Sequence, residues 1–375
     1  MKKIIPLLLL SLSVYTSSFS QQAELIISQV RAKQKLISTV SYQINRTDTL
    51  GAYIRHMKGK VLIERNNTDT IFGFKFWAKK TNDPIEKIYD GHIAYVLDTA
   101  SKTYEISTTP SGFHNLLNGG GGHMVVPDLL NLKIEGMSGV SLVEDRNTYL
   151  LTFKYPNIDQ YNITDKFKAI RIDKKTMLPL SVREHQESLG RIQDLYYEIS
   201  NTIVNAKNNN YNFSEPAFLK NYRHIVPVRK PSPILSFLGN ALPDFTVQTF
   251  INGDKQVSTS DFKDSIVLLD FWEVWCGPCI ESMPKIEELY QKYKNKGLRV
   301  YGIVNDPINI KSSKELVSTK GFTLPMLMGS EQLRNLLKIT GIPLYVLIDK
   351  SGKVAFISEG YSADIEANVI KALGK

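Results

Sequence analysis

The chain has 375 residues, more than one ordinary domain holds, and its 42% hydrophobic and 22% charged residues supply material for at least two folded cores. That composition excludes a disordered or collagen-like chain. The formal net charge of +9 sits in the N-terminal part: residues 241–375 carry 16 Lys plus Arg against 16 Asp plus Glu, whereas residues 21–240 carry 28 against 21. An excess of this size reads as a solvated surface, and with no basic run present no nucleic-acid partner is expected.

Lys2 and Lys3 precede an apolar run from Ile4 to Val14, and Ser18 and Ser20 follow at the spacing of a signal-peptidase site. The run falls short of the ~20 residues that span a bilayer as a helix. Residues 1–20 are therefore expected to be a secretory signal peptide, and the mature protein to be soluble outside the cytoplasm, in a bacterial periplasm.

From Gln22 to Ile37, Leu25, Ile26, Val30, Leu36 and Ile37 predict a short helix with one buried stripe. Strands follow. Phe72, Phe74 and Phe76 alternate with Gly73 and Lys75, so their rings share one face. With Trp77 beside them they either line an apolar cavity or fill a core, and we read them as core. Asp90-Gly91 between apolar runs predicts a tight hairpin turn. Residues 169–172, 178–183 and 192–199 predict three antiparallel strands, with turns at 173–176 and 188–190. The glycines of residues 119–122 lack the Gly-Lys-Ser/Thr ending of a phosphate cradle and predict a flexible loop. Pro227, Pro231 and Pro233, with Arg229 and Lys230 between them, mark residues 226–240 as a linker. The expected organisation is a signal peptide (1–20), a β-rich α+β domain with an antiparallel sheet (21–225), the linker, and an α/β domain (241–375).

The chain contains two cysteines, Cys276 and Cys279. Residues 265–272 form a nearly continuous apolar strand of the kind buried on both faces. Ile280, Met283, Ile286, Leu289 and Tyr293 then recur at helical spacing, which places Cys276 at a helix N-terminus, where unpaired N–H groups and the helix dipole favour a thiolate. Strand, Cys-x-x-Cys and helix together predict a redox site. Zinc is the competing reading, but a structural site takes four ligands, and the six histidines (His56, His92, His114, His123, His185 and His224) all precede this domain. No metal or other cofactor is expected. The same absence of local histidine argues against Cys-His catalysis of the protease type.

These residues resemble the thioredoxin superfamily, and within it the secreted thiol-disulfide oxidoreductases of the TlpA and ResA type. The matching features are Pro243-Asp244-Phe245, Asp270-Phe271-Trp272 before Trp275-Cys276-Gly277-Pro278-Cys279, Pro284, Gly341-Ile342-Pro343, and Asp349 to Gly352. The resemblance implies a thioredoxin fold with Cys276 as attacking thiolate, Cys279 as resolving thiol, and Asp270 as the buried acid that takes the resolving proton. It also implies a cis-proline at Pro343, with Gly341, Ile342 and Trp275 contacting substrate. The partners it implies are disulfide-containing proteins and a membrane-embedded thiol donor. The Gly-Pro dipeptide is like that of reducing thioredoxins, whose potentials lie near about −270 mV. Glu273 and Val274 depart from the small or polar pair common in this family and bring a carboxylate near the thiols. Leu344 follows Pro343 where members that mature cytochromes c often carry Glu. No Thr-x-x-Cys of the peroxiredoxin kind is present.

The N-terminal domain looks like the half-barrel lipoprotein carriers (LolA-like), on the pattern of helix, meander and hairpins around residues 172–190. That likeness implies a concavity for a lipid, another apolar ligand or a partner protein. The competing function is then a periplasmic carrier whose thioredoxin-like part serves as an adaptor.

Overall fold

The computed structural model describes residues 8–374 except 52, 119, 160–161, 189–190, 207–210, 212, 214–216, 227–230 and 252–254. The start of the leader (Lys2, Lys3, Ile4), Gly119, the turn residues Leu189 and Gly190, and Pro227, Arg229 and Lys230 lie outside the described residues. The chain divides into two compact units, Met1–Val228 and Arg229–Lys375.

In the first unit α1 (Leu8–Lys35) is one helix that continues through the segment expected as a leader. Ala23, Ile26, Ile27 and Val30 form its buried stripe, the i, i+3, i+4, i+7 set of an amphipathic helix. Leu25 and Leu36, expected in that stripe, lie exposed: Leu25 stands about 100° round the helix from Ile26, and Leu36 falls in the turn just after α1 ends. Gln34 is buried instead: its amide donates to the Asp128 carbonyl at 2.5 Å and accepts from Leu132 N–H at 3.2 Å.

Six strands follow: β1 (Thr39–Leu50), β2 (Tyr53–Arg65), β3 (Phe74–Lys80), β4 (Ile85–Tyr89), β5 (Ala94–Asp98) and β6 (Thr103–Ser107). After α2 (Pro110–Asn118) come β7 (Gly139–Glu144), β8 (Thr148–Lys154), β9 (Ile163–Asp173), β10 (Pro179–Ser188), β11 (Arg191–Val204) and β12 (Arg223–His224). They form one sheet in the order β12-β6-β5-β4-β3-β2-β1-β11-β10-β9-β8-β7. Every neighbouring pair is antiparallel except β12 with β6. The expected antiparallel sheet is present, with β12 and β7 as its edges, and among the described residues no pairing joins them into a closed barrel.

One face of this sheet packs against α1, α2 and residues 124–134 in a single core that includes Phe74 and Phe76. The aromatic row thus fills a core; Phe72 lies just before β3 and stacks on Phe74 at 5.8 Å. Trp77 points to the opposite face, where its Nε1 donates to Glu86 at 2.9 Å. The predicted turn at Asp90-Gly91 joins β4 to β5, with Gly91 at φ +101° and Asp90 Oδ1 accepting from His92 and Ile93 N–H. The glycine run is not a loose loop throughout. Residues Gly120–Met124 form a 3-10 turn, and a Cβ on Gly122 would stand 1.9 Å from the Leu116 carbonyl.

In the second unit, residues 232–240 are not a free linker. Ile234 is buried in that unit's core, and Gly239 N–H donates to Val354 O at 2.9 Å. An apolar side chain every few residues lets this proline-rich stretch dock. Beyond it lie β13 (Thr246–Thr249), β14 (Gln256–Ser258), β15 (Ile266–Phe271), α3 (Gly277–Tyr293), β16 (Leu298–Val304) and α4 (Ile310–Lys320). They are followed by β17 (Met326–Met328), α5 (Glu331–Leu336), β18 (Leu344–Ile348), β19 (Val354–Glu359) and α6 (Asp364–Ala372). The sheet order is β14-β13-β17-β16-β15-β18-β19, with β15, β16 and β17 parallel and β18 antiparallel to β15. Strand β15 is buried along its whole length, as its continuous apolar sequence requires.

Candidate active site

The C-terminal end of β15 and the N-terminal end of β18 meet, because the two strands run antiparallel with Phe271 opposite Leu344. The loop 272–276 and the Gly341-Ile342-Pro343 segment therefore emerge at the same end of the sheet. The Ile342–Pro343 peptide is cis, as the resemblance implied. Ile342 is half-buried against the core, and Gly341 faces open space.

Cys276 is the N-cap residue of α3, with extended backbone angles, and its sulfur accepts from Cys279 N–H at 3.3 Å. Cys276 and Cys279 are joined as a disulfide with Cα atoms 5.2 Å apart. Sulfur at this position takes the place of the side-chain oxygen of an ordinary helix cap, and the same N–H that caps the helix favours a thiolate once the bond is reduced. Both cysteines are buried, at 5% and 1% exposure, while the neighbouring Trp275 is 53% exposed. The indole is thus the accessible surface beside the sulfurs.

Asp270 lies on β15, six residues before Cys276, at 2% exposure. Its Oδ1 has no hydrogen-bond partner among the described residues. Burial pushes its pKa up to about 8, within reach of neutral pH. A group poised there both accepts and returns a proton. Across the strand pair from Asp270 stands Tyr345, whose hydroxyl donates to Ser282 Oγ at 2.7 Å. Ser282 Oγ in turn lies 2.9 Å from the carbonyls of Pro278 and Cys279. Sequence reasoning missed Ser282 and Tyr345; they read as ordinary helix and strand residues, and only the antiparallel pairing of β15 with β18 brings them together.

Glu273 does more than place a charge near the thiols. Its Oε1 accepts from the N–H groups of Asn305 and Asp306, both at 2.9 Å, and its Oε2 accepts from Asn309 Nδ2 at 2.6 Å. Its own carbonyl accepts from Cys276 N–H at 3.0 Å. One residue therefore ties the cysteine loop to the loop between β16 and α4. Burial raises the Glu273 pKa despite these three donors, which favour the ionised form. The Asn305 and Asn309 contribution was invisible in the sequence because it is more than thirty residues away.

The profile of the AhpC/TSA family matches residues 238–357. Position 273 carries Glu where a peroxidatic Thr-x-x-Cys would place Thr, so the likeness concerns the scaffold. The thiol-disulfide oxidoreductase ResA of Bacillus anthracis is 37% identical over 123 residues, 31% of this chain and 66% of that protein, just under two thirds of its length. ResA of Geobacillus kaustophilus is 35% identical over 126 residues, 33% of this chain and 70% of that protein. Among solved structures, a thiol:disulfide interchange protein DsbE from Chlorobium tepidum shows 29% identity and a TM-score of 0.33, covering 36% of this chain and 96% of that one. The AhpC/TSA match lies within the second unit, and on its identity to ResA over more than two thirds of the Geobacillus protein the chain belongs to the ResA-like thiol-disulfide oxidoreductases of the thioredoxin superfamily.

Proposed function

We propose that the chain is an extracytoplasmic thiol-disulfide oxidoreductase that reduces protein disulfides. The observation that carries this reading is the Cys276–Cys279 pair at the N-terminus of α3, with the buried Asp270 on the adjoining strand. In the reductive half-reaction the Cys276 thiolate attacks one sulfur of a substrate disulfide, forming a mixed disulfide and releasing one substrate thiolate. Cys279 gives its proton to the Asp270 carboxylate and attacks Cys276 Sγ. The second substrate thiolate leaves, and the enzyme is oxidised by two electrons to the Cys276–Cys279 disulfide. A membrane-embedded dithiol carrier returns the two electrons. Trp275, Gly341, Ile342 and Pro343 form the surface against which an extended substrate segment lies.

The location rests on the leader-like residues 1–20 and on the secreted nature of this oxidoreductase group. Among the described residues no helix is long and apolar enough to cross a membrane. Turnover of an insulin or model-peptide disulfide in the presence of a chemical dithiol tests the activity. Wild-type protein should outpace Cys276→Ser by orders of magnitude; equal rates would end the enzyme reading. A Cys279→Ser variant should accumulate a mixed disulfide whose captured partner identifies the substrate.

A further inference from the structure

We propose that the first unit binds an anionic small molecule with an apolar or aromatic body, in a cavity of about 430 Å³ bordered by β9, β10 and β11. The register fixes what lines it. Lys168 stands opposite Glu184, Glu184 opposite Leu195, and Gln186 opposite Gln193, so these side chains share one face. Further along the strands that same face buries Ile170 and Val182. The sheet's core face therefore turns from apolar to charged where it opens.

The floor is a satisfied ion cluster. Lys168 is buried, and its Nζ lies 2.8 Å from Asp128 Oδ2, 3.2 Å from the Lys133 carbonyl and 3.3 Å from Glu184 Oε1. Those three contacts use all three ammonium protons, which leaves Lys168 none for a ligand. Lys133 and Lys166 differ: both line the cavity, and among the described residues neither ammonium has an ion-pair partner. Lys166 Nζ instead sits 5.5 Å from the centre of the Tyr155 ring. Setting Lys168, Lys133 and Lys166 against Asp128 and Glu184 leaves one net positive charge, displaced toward Lys133 and Lys166. His185, which also borders the cavity, is already engaged by Asp194 at 2.9 Å.

Lys133 is exposed and Lys166 half-buried, but both border the cavity, and charge at the wall of a cleft attracts an ion of opposite sign more strongly than the same charge on a flat surface. The Tyr155 ring and Leu195 offer apolar contact beside the two free ammonium groups, and the volume is that of a small-ligand site. A wholly apolar occupant fits less well. It would take the Lys133 and Lys166 ammonium groups out of water with no anion to pair them. The expectation of an apolar ligand in this unit thus changes, at this cavity, to a carboxylate, sulfonate or phosphate carried on an apolar body. This inference does not depend on the thiol chemistry of the second unit.

The test uses the full chain and two fluorescent probes of similar shape, anionic 8-anilinonaphthalene-1-sulfonate and neutral N-phenyl-1-naphthylamine. The anion should bind saturably at one site, with affinity that falls as salt rises. Lys133→Glu/Lys166→Glu should weaken it at least tenfold. Leu195→Trp, which fills the cavity and keeps its charges, should weaken it similarly, and Cys276→Ser should leave it unchanged. Circular dichroism of each variant reports that the fold is kept. Absence of saturable binding to the wild type, equal binding of the neutral probe, or full binding by either cavity variant would each overturn the proposal.

Discussion

Asp270 and Glu273 are two buried carboxyls three residues apart, and their surroundings give them opposite tasks. Asp270 has burial alone, which raises its pKa from 3.8 to about 8. Below about pH 4 it is protonated both folded and unfolded, and contributes nothing to the pH dependence. Between there and pH 8 the unfolded chain ionises while the folded one does not, so native stability falls by up to about 1.4 kcal/mol per pH unit. Asp270→Asn should therefore gain stability over wild type progressively from pH 4 to pH 8, with little difference at pH 4, as read from urea midpoints. If Asp270 takes the Cys279 proton as proposed, the same variant should resolve mixed disulfides at least ~10-fold more slowly at neutral pH. Glu273 is engaged by three donors, so its loss is structural first. Glu273→Ala leaves those donors without an acceptor and should cost about 2–4 kcal/mol, a lowered midpoint of the second unit. Glu273→Gln keeps the Oε1 acceptor for Asn305 and Asp306 and should recover part of that loss.

Strand β1 shows why an element that anchors the first sheet was not legible in the sequence. Its inward positions are Val40, Tyr42, Ile44, Arg46 and Asp48, so the apolar alternation ends halfway along. Arg46 Nε meets Asp48 Oδ1 at 2.5 Å, and Arg55 of β2 reaches Asp48 Oδ2 at 2.7 Å. The strand continues because these charges satisfy one another, which a count of apolar residues does not register. Asp48→Ala should destabilise the first unit by about 3–5 kcal/mol, by leaving Arg46 buried without its partner. A denaturation midpoint unchanged within error would contradict that. Elements with a continuous or strictly alternating pattern were readable: β15, α3, and the β9-β10-β11 meander, though the meander's strands extend beyond their apolar segments because neighbouring strands supply hydrogen bonds to polar ends. At the candidate site the Cys-x-x-Cys was readable from its spacing between a strand and a helix, whereas Asp270 and Pro343 were singled out through the family resemblance. Ser282, Tyr345, Asn305 and Asn309 join them through pairing between distant segments.

At the scale of the molecule, each unit has its own sheet and core. The excess positive charge lies before residue 241, whereas residues 241–375 are electrically balanced. Reduction of the disulfide should accordingly move only the thermal transition of the second unit, followed by calorimetry with and without a dithiol. The loop it closes is so short that the chain-entropy effect should fall below the ~3 kcal/mol of a 15-residue loop. A shift in the first unit's transition would show that its stability depends on the second unit's redox state.

The placement of both cysteines within one helical turn, and of none elsewhere in the sequence, makes the chain its own redox gauge. A thiol-alkylating tag adds two masses to a reduced molecule and none to an oxidised one. A molecule caught in a mixed disulfide takes one. Quenching intact cells with acid and counting tags on the whole chain would thus read the occupancy of every stage of the cycle, without site-directed changes and without purifying the protein.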